Sequence, residues 1–205
     1  MPGDRYTGSV RIIGGRAGGL ILKVPKGLGV RPTPDLVKQA VFNSLGDRVV
    51  DAEVLELFAG TGALSLECVS RGARLAVCVE RSARHAAVLR ENWRRAGFPP
   101  ETLELRIQDV FAALEPLAMS GRSFDLILAD PPYGPKNLTA RSESAAQRLL
   151  DDPWLPRLLR RGGRFVLGHA HRDRLEIPPV WREVKTMRHG DSVMRFLESC
   201  PPEWA

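Results

Sequence analysis

The tetrapeptide Asp130-Pro131-Pro132-Tyr133 follows an apolar run, Phe124 to Ala129. Its two prolines stiffen the chain and remove two backbone donors, leaving carbonyls free to point outward. A carboxylate oxygen of Asp130 and the carbonyl of Pro131 can then accept the two hydrogens of an aromatic amino group. Such a group is a poor nucleophile, because its lone pair is delocalised into the ring. Two acceptors localise that lone pair toward an electrophilic methyl and give the departing proton a nearby base. Tyr133 can stack on a base drawn out of its helix or loop, a contact worth ~1–3 kcal/mol. The expected chemistry is methylation of an sp² amino group; from these residues alone adenine, cytosine and guanine would all serve.

Three further features are in register with this one. Glu56-Leu57-Phe58-Ala59-Gly60-Thr61-Gly62-Ala63 ends an apolar run, and Gly60 and Gly62 would let the backbone turn sharply against a ligand. The third glycine and phosphate grip of a dinucleotide loop are missing, which favours a cofactor without pyrophosphate over a nicotinamide. Glu80 closes the next apolar run, 18 positions after Gly62, where a carboxylate accepts hydrogen bonds from ribose hydroxyls. Asp109 follows the third run and can reach an adenine amino group, with Val110 and Phe111 against the ring; the same acid reads equally as a helix N-cap.

These residues need strand ends to hold them. Short apolar segments at 53–58, 75–80, 103–107, 124–129 and 164–168 alternate with helical patterns at 62–71, 82–96, 110–119 and 144–160, which predicts a parallel sheet covered on both faces. Segments 180–188 and 192–198 flank His189-Gly190-Asp191 and read as a terminal antiparallel hairpin. The expected fold is α/β and Rossmann-like, a mostly parallel seven-stranded sheet closed by that hairpin. Residues 10–24, with Gly14-Gly15 and Gly18-Gly19, predict a small N-terminal β-hairpin. Thr33-Pro34-Asp35 predicts a helix start with Thr33 as N-cap and proline at the first helical position. Leu36, Val37, Ala40, Val41 and Leu45 recur at helical spacing and should pack on the main domain. The chain divides into a basic extension, 1–34, and a catalytic domain, 35–205.

Charge follows the same division. Residues 1–34 are net +5, 35–156 net −3 and 157–205 net +4, within a total of +6. Basic ends around an acidic middle fit nucleic-acid binding. Cys68, Cys78 and Cys200 lack metal or disulfide spacing, and Cys68 and Cys78 fall in apolar segments as core thiols. His169 and His171 have no further ligand cluster around them and read as a strand-end surface pair near RNA phosphate, so no metal is expected. No apolar run approaches a membrane span and the N-terminus lacks the apolar stretch of a signal peptide; a cytoplasmic protein is the expectation.

The pattern resembles the class I S-adenosylmethionine-dependent methyltransferases with a D-P-P-Y motif. More narrowly it is similar to the bacterial 16S ribosomal RNA guanine-N2 methyltransferases of the RsmD type. Arg11-Ile12-Ile13-Gly14-Gly15 and Arg31-Pro32-Thr33 point to that subgroup. Phe58 to Leu64, Ser70-Arg71-Gly72-Ala73 and the tetrapeptide extend the likeness over nearly the whole chain. The resemblance implies that Glu56, Phe58, Gly60, Gly62, Glu80, Arg81, Asp109 and Val110 line an S-adenosylmethionine pocket. It implies that Asp130, Pro131 and Tyr133 hold a guanine, and that Arg11, Arg16, Lys23 and Arg31 grip 16S RNA, free or in a small-subunit assembly particle, with the chain acting as a monomer. Two departures stand out: residues 1–9 precede the family's usual start, an expected disordered stretch, and Pro34 replaces an expected second threonine.

Adenine-N6 methylation of DNA or RNA uses the same chemistry, but 205 residues leave little room for a DNA target-recognition region. Glutamine methylation would call for Asn at position 130, and cytosine-C5 chemistry for a nucleophilic thiolate after a proline. A non-catalytic RNA-binding module would explain the basic ends and leave the acids idle.

Overall fold

The computed structural model describes residues 10–25, 33–133 and 142–200. Among these residues the α-helices and strands, in chain order, are α1 (Asp35–Leu45), β1 (Glu53–Leu57), α2 (Ala63–Ser70), β2 (Leu75–Val79), α3 (Ala83–Arg95), β3 (Leu103–Arg106), α4 (Val110–Met119), β4 (Phe124–Ala129), α5 (Ala145–Asp151), α6 (Leu155–Leu158), β5 (Leu159–Ala170), β6 (Trp181–His189) and β7 (Ser192–Ser199). The strands build one seven-stranded sheet in the order β3-β2-β1-β4-β5-β7-β6. β1 to β5 are mutually parallel. β7 runs antiparallel between β5 and β6.

Side chains alternate between the faces of each strand, so the sheet feeds two cores. Val54, Ala76, Cys78, Leu126 and Leu128 pack with α1, α2 and α3 on one face. Leu55, Leu57, Val77, Val79, Ile127 and Ala129 pack with α4, α5 and α6 on the other. Burial on both faces explains why β2, Leu75 to Val79, reads as an unbroken apolar run. The order reverses between β1, which leads outward to β2 and β3, and β4, which leads the other way; β1 and β4 therefore flank the crevice where ligands bind in open α/β sheets.

The expected helix over 144–160 is broken. Pro153 disfavours helix at the residue before it, and Asp152 is extended, with ψ 126°. The Asp152 carboxylate then accepts from the N–H groups of Trp154 at 2.8 Å and Leu155 at 3.0 Å, starting the short α6. Strand β5 begins at Leu159, five residues before the predicted start, and is irregular where Gly162 takes a positive φ of 77°.

The N-terminal segment is a hairpin with one antiparallel bridge, Arg11 to Ile21, rather than two full strands. Its turn lies on the C-terminal end of α2: Arg16 N–H donates to the Ser70 carbonyl at 2.8 Å and Ala17 N–H to the Ser70 hydroxyl at 2.9 Å. Gly15 has φ 71°, and a Cβ there would stand 1.9 Å from the Ser70 oxygen, so no other residue fits the approach. Val10, Ile12 and Leu22 of this hairpin are buried in the same apolar cluster as α1 to α3. The expected disorder of residues 1–9 and the position of Arg31 lie outside the described residues.

The start of α1 also differs from expectation. Pro34, not Thr33, is the N-cap, and it makes no side-chain cap bond. Leu36 faces solvent, 72% exposed, while Val37, Val41, Phe42 and Leu45 form the buried stripe. Lys38 is fully buried; its ammonium is bonded to the Arg11 carbonyl and lies 3.1 Å from Asp35 Oδ1.

Candidate active site

The carboxyl ends of β1, β2 and β4 and the loop after β3 open into a cavity of about 570 Å³, the size of an ordinary small-molecule site. Of the residues singled out in the sequence, Phe58, Gly60, Glu80, Arg81, Asp109, Val110, Asp130, Pro131 and Tyr133 line it. Thr33, His85, Phe111, Arg148, Ser192 and Met194 line it too.

At the β1 end, Phe58 holds φ 59°, an uncommon conformation for a bulky residue, and its ring meets Phe111 edge-on at 6.0 Å. Gly62 begins the turn into α2 with φ 78°; a Cβ there would be 2.7 Å from the Leu89 side chain. Gly62 thus packs against α3 and stands outside the cavity lining. Glu56 does as well. It is buried on the α2 face, where the Ser65 N–H donates to it at 3.0 Å and the Ser65 hydroxyl also bonds it. Burial, the largest influence, pushes its carboxyl up to about 7 despite those bonds. Burial likewise raises the neighbouring Cys68 and Cys78 thiols well above their usual range, as expected of core residues.

Glu80 is held toward the cavity by two backbone donors, Gly60 N–H at 2.8 Å and Ser82 N–H at 2.7 Å. Each carboxylate oxygen keeps acceptor capacity for a ligand. Glu80 is buried, with His85 Nδ1 at 3.5 Å; His85 Nε2 is buried without a partner among the described residues. Asp109 caps α4 through Oδ1, accepting from Phe111 N–H at 2.9 Å and Ala112 N–H at 3.4 Å, so the N-cap role and the cavity position coexist. Arg148 lies 3.7 Å over the Phe111 ring.

At the β4 end, Thr33 donates its hydroxyl to Asp130 Oδ2 at 2.5 Å, and the Tyr133 phenol lies 2.8 Å from the Ser192 hydroxyl. Thr33 therefore serves the cavity instead of capping α1. Neither contact had a local signal, since the partners are 97 and 59 residues apart.

The pair read as a surface site, His169 and His171, separates. His169 is 2% exposed in β5, its Nδ1 2.9 Å from the Ala170 carbonyl and its Nε2 accepting from Arg195 at 3.0 Å. Burial and the Arg195 charge lower its pKa, which suits a neutral ring. His171 is exposed. Among the described residues no three His, Cys, Asp or Glu are grouped to hold a metal ion, and no helix is long and apolar enough to cross a membrane.

Of the basic hairpin residues, Arg11 is paired with Asp35 at 2.7 Å and Lys23 with Glu91 at 2.5 Å. Arg16 stacks on Phe98 at 4.6 Å.

The model of the family described as Conserved hypothetical protein 95 matches residues 10–198. The Escherichia coli K12 protein named Ribosomal RNA small subunit methyltransferase D is 35% identical over 156 residues, 75% of this chain and 73% of that protein. A solved structure of a hypothetical protein from Thermus thermophilus superposes with a TM-score of 0.76 at 29% identity, covering 92% of this chain and 99% of that one. The T. thermophilus 16S rRNA N2 G1207 methyltransferase, solved with AdoMet and guanosine, shares the fold at TM-score 0.65 and 23% identity, over 85% of this chain and 45% of its own. The chain belongs to the Conserved hypothetical protein 95 family, the family of the ribosomal RNA small subunit methyltransferase D proteins.

Proposed function

We propose that this chain transfers a methyl group from S-adenosylmethionine to the exocyclic N2 amino group of a guanine in small-subunit ribosomal RNA. The observation that carries the reading is one cavity lined by Asp130, Pro131 and Tyr133 together with Glu80 and Asp109. It joins acceptors for an amino group to acceptors for a nucleoside.

The donor set suits S-adenosylmethionine. Glu80, fixed by two backbone N–H groups, faces the cavity as an acceptor for a ribose diol. Asp109, Val110 and Phe111 offer an acid and apolar contact to an adenine. The acids Glu80, Asp109 and Asp130 suit a cationic ligand, and the turn after β1 lacks the third glycine of a phosphate-gripping loop. When bound, the cofactor supplies an electrophilic methyl. The chain's own residues do the rest. Asp130 and the Pro131 carbonyl accept the amino hydrogens, and Tyr133 supports the base. The nitrogen would gain the methyl as the methyl's bond to the sulfonium sulfur breaks, leaving a neutral thioether, and lose one proton, which Asp130 accepts and passes to water.

Ribosomal RNA as substrate is supported by the name of the 35% identical relative. Guanine is supported by the Arg11-Ile12-Ile13-Gly14-Gly15 and Arg31-Pro32-Thr33 likeness and by the guanosine held in the fold neighbour. Arg11, Arg16, Lys23 and Arg31 are assigned to RNA phosphate. Adenine N6 is the second reading, since the tetrapeptide serves it equally.

The test uses tritiated S-adenosylmethionine and unmodified small-subunit rRNA, free or in particles, followed by nuclease digestion and mass analysis. Label in N2-methylguanosine is the expected result. Label in N6-methyladenosine overturns the base assignment, and an unlabelled RNA overturns the substrate.

A further inference from the structure

Asp130 and Tyr133, the first and last residues of the tetrapeptide, are each tied to a hydroxyl from a different part of the chain. Thr33, just before α1, donates to Asp130 Oδ2 at 2.5 Å. Ser192, the first residue of β7, lies 2.8 Å from the Tyr133 phenol oxygen. Both hydroxyl residues line the cavity.

An aspartate carboxylate left to itself turns broadly about χ2. Here one oxygen is tethered by Thr33, and the other lies against β5, where a Cβ on Gly168 would come within 2.5 Å of Oδ1. The plane of the carboxylate is thereby fixed. The tethers themselves stand on firm supports. Lys38 N–H bonds the Pro34 carbonyl at 3.0 Å, and the buried Lys38 ammonium ties α1 to Arg11 and Asp35. Ser192 is paired with Ala170 on one side and His189 on the other.

We infer that Thr33 and Ser192 are positioning residues of the transfer reaction: Thr33 sets the plane of the Asp130 carboxylate, and Ser192 sets the ring of Tyr133. The inference rests on Asp130 being the acceptor of the amino hydrogens. A misaligned acceptor costs rate without loosening either ligand, because alignment matters most in the transition state.

The full chain is compared with Thr33→Val, which keeps shape and loses the hydroxyl, with Thr33→Ser, which keeps the hydroxyl, and with Ser192→Ala. Rates are measured on small-subunit rRNA at saturating cofactor, together with cofactor affinity. Thr33→Val is expected to lower kcat about tenfold, with RNA KM and cofactor affinity within about twofold of wild type. Thr33→Ser returns to near wild type. Ser192→Ala raises the RNA KM severalfold. Wild-type kcat in Thr33→Val, or equal impairment in Thr33→Ser, overturns the inference for Thr33; an unchanged KM in Ser192→Ala overturns it for Ser192. Methyl recovered on another base overturns the guanine assignment and leaves these comparisons valid.

Discussion

Gly168 of β5 stands so close behind Asp130 that an added Cβ would lie 2.5 Å from Oδ1 and 3.1 Å from Cγ. The carboxylate occupies the space that any other residue at position 168 would fill. Gly168→Ala therefore pushes Asp130 out of line. We expect kcat to fall at least about tenfold while cofactor affinity holds, as Gly168 does not line the cavity. Steady-state kinetics with a cofactor titration check this; wild-type kcat would show that Asp130 shifts without cost.

Asp130→Ala removes the carboxylate that the mechanism needs for lone pair and proton. Methyl transfer is expected to fall by about 10²-fold or more, the usual range for losing a proton acceptor, with S-adenosylmethionine binding largely intact. Full incorporation of tritium into ribosomal RNA by this variant would sink the mechanism.

Glu56 gives a stability prediction. Its ordinary carboxyl value is 4.5 and burial raises it to about 7 in the fold. Between those values the folded chain holds the extra proton, so stability falls as pH rises from 4.5 to 7 and stays lower above that. Glu56→Gln removes this slope while its amide oxygen still accepts from Ser65. The variant should gain up to ~3 kcal/mol relative to wild type between about pH 4.5 and 7.5, since each pH unit in that window is worth ~1.4 kcal/mol. Urea unfolding at both pH values measures it; a constant difference between the two proteins refutes the raised carboxyl.

Replacing Arg11, Arg16 and Lys23 together by Gln tests the N-terminal hairpin. Exposed ion pairs such as Arg11 with Asp35 and Lys23 with Glu91 are weak enough for a phosphate to displace the carboxylate. Three lost phosphate contacts would reduce the slope of log affinity against log salt by about 2 for single-stranded RNA. Anisotropy titrations from low to moderate salt read this out, and an unchanged slope removes the hairpin from the interface.

The sequence was most legible where a local rule had no competitor. β4 spans Phe124–Ala129 as predicted, because the apolar run is bounded by polar Ser123 and the proline tetrapeptide. The helix over 144–160 failed because Leu149, Leu150, Leu155 and Leu158 keep an apolar rhythm across the break; Pro153 was the signal that it stops. Glu56 had a readable signal as well. Period-2 alternation places it on the same face as Val54, toward α2, away from the side of Leu55 and Leu57. Thr33, Ser192 and the burial of His169 had none, because each depends on a partner brought in by the fold: Asp130, Tyr133 and Arg195. Polar contacts of this kind leave no mark on hydrophobic periodicity.

The insertion of β7 between β5 and β6 also has a consequence in time. Ser192 reaches Tyr133 from near the end of the chain, after every residue that faces the nucleoside half of the cavity has been synthesised. Domains fold as units, so the contact of Ser192 with Tyr133 forms only once β7 has docked against β5.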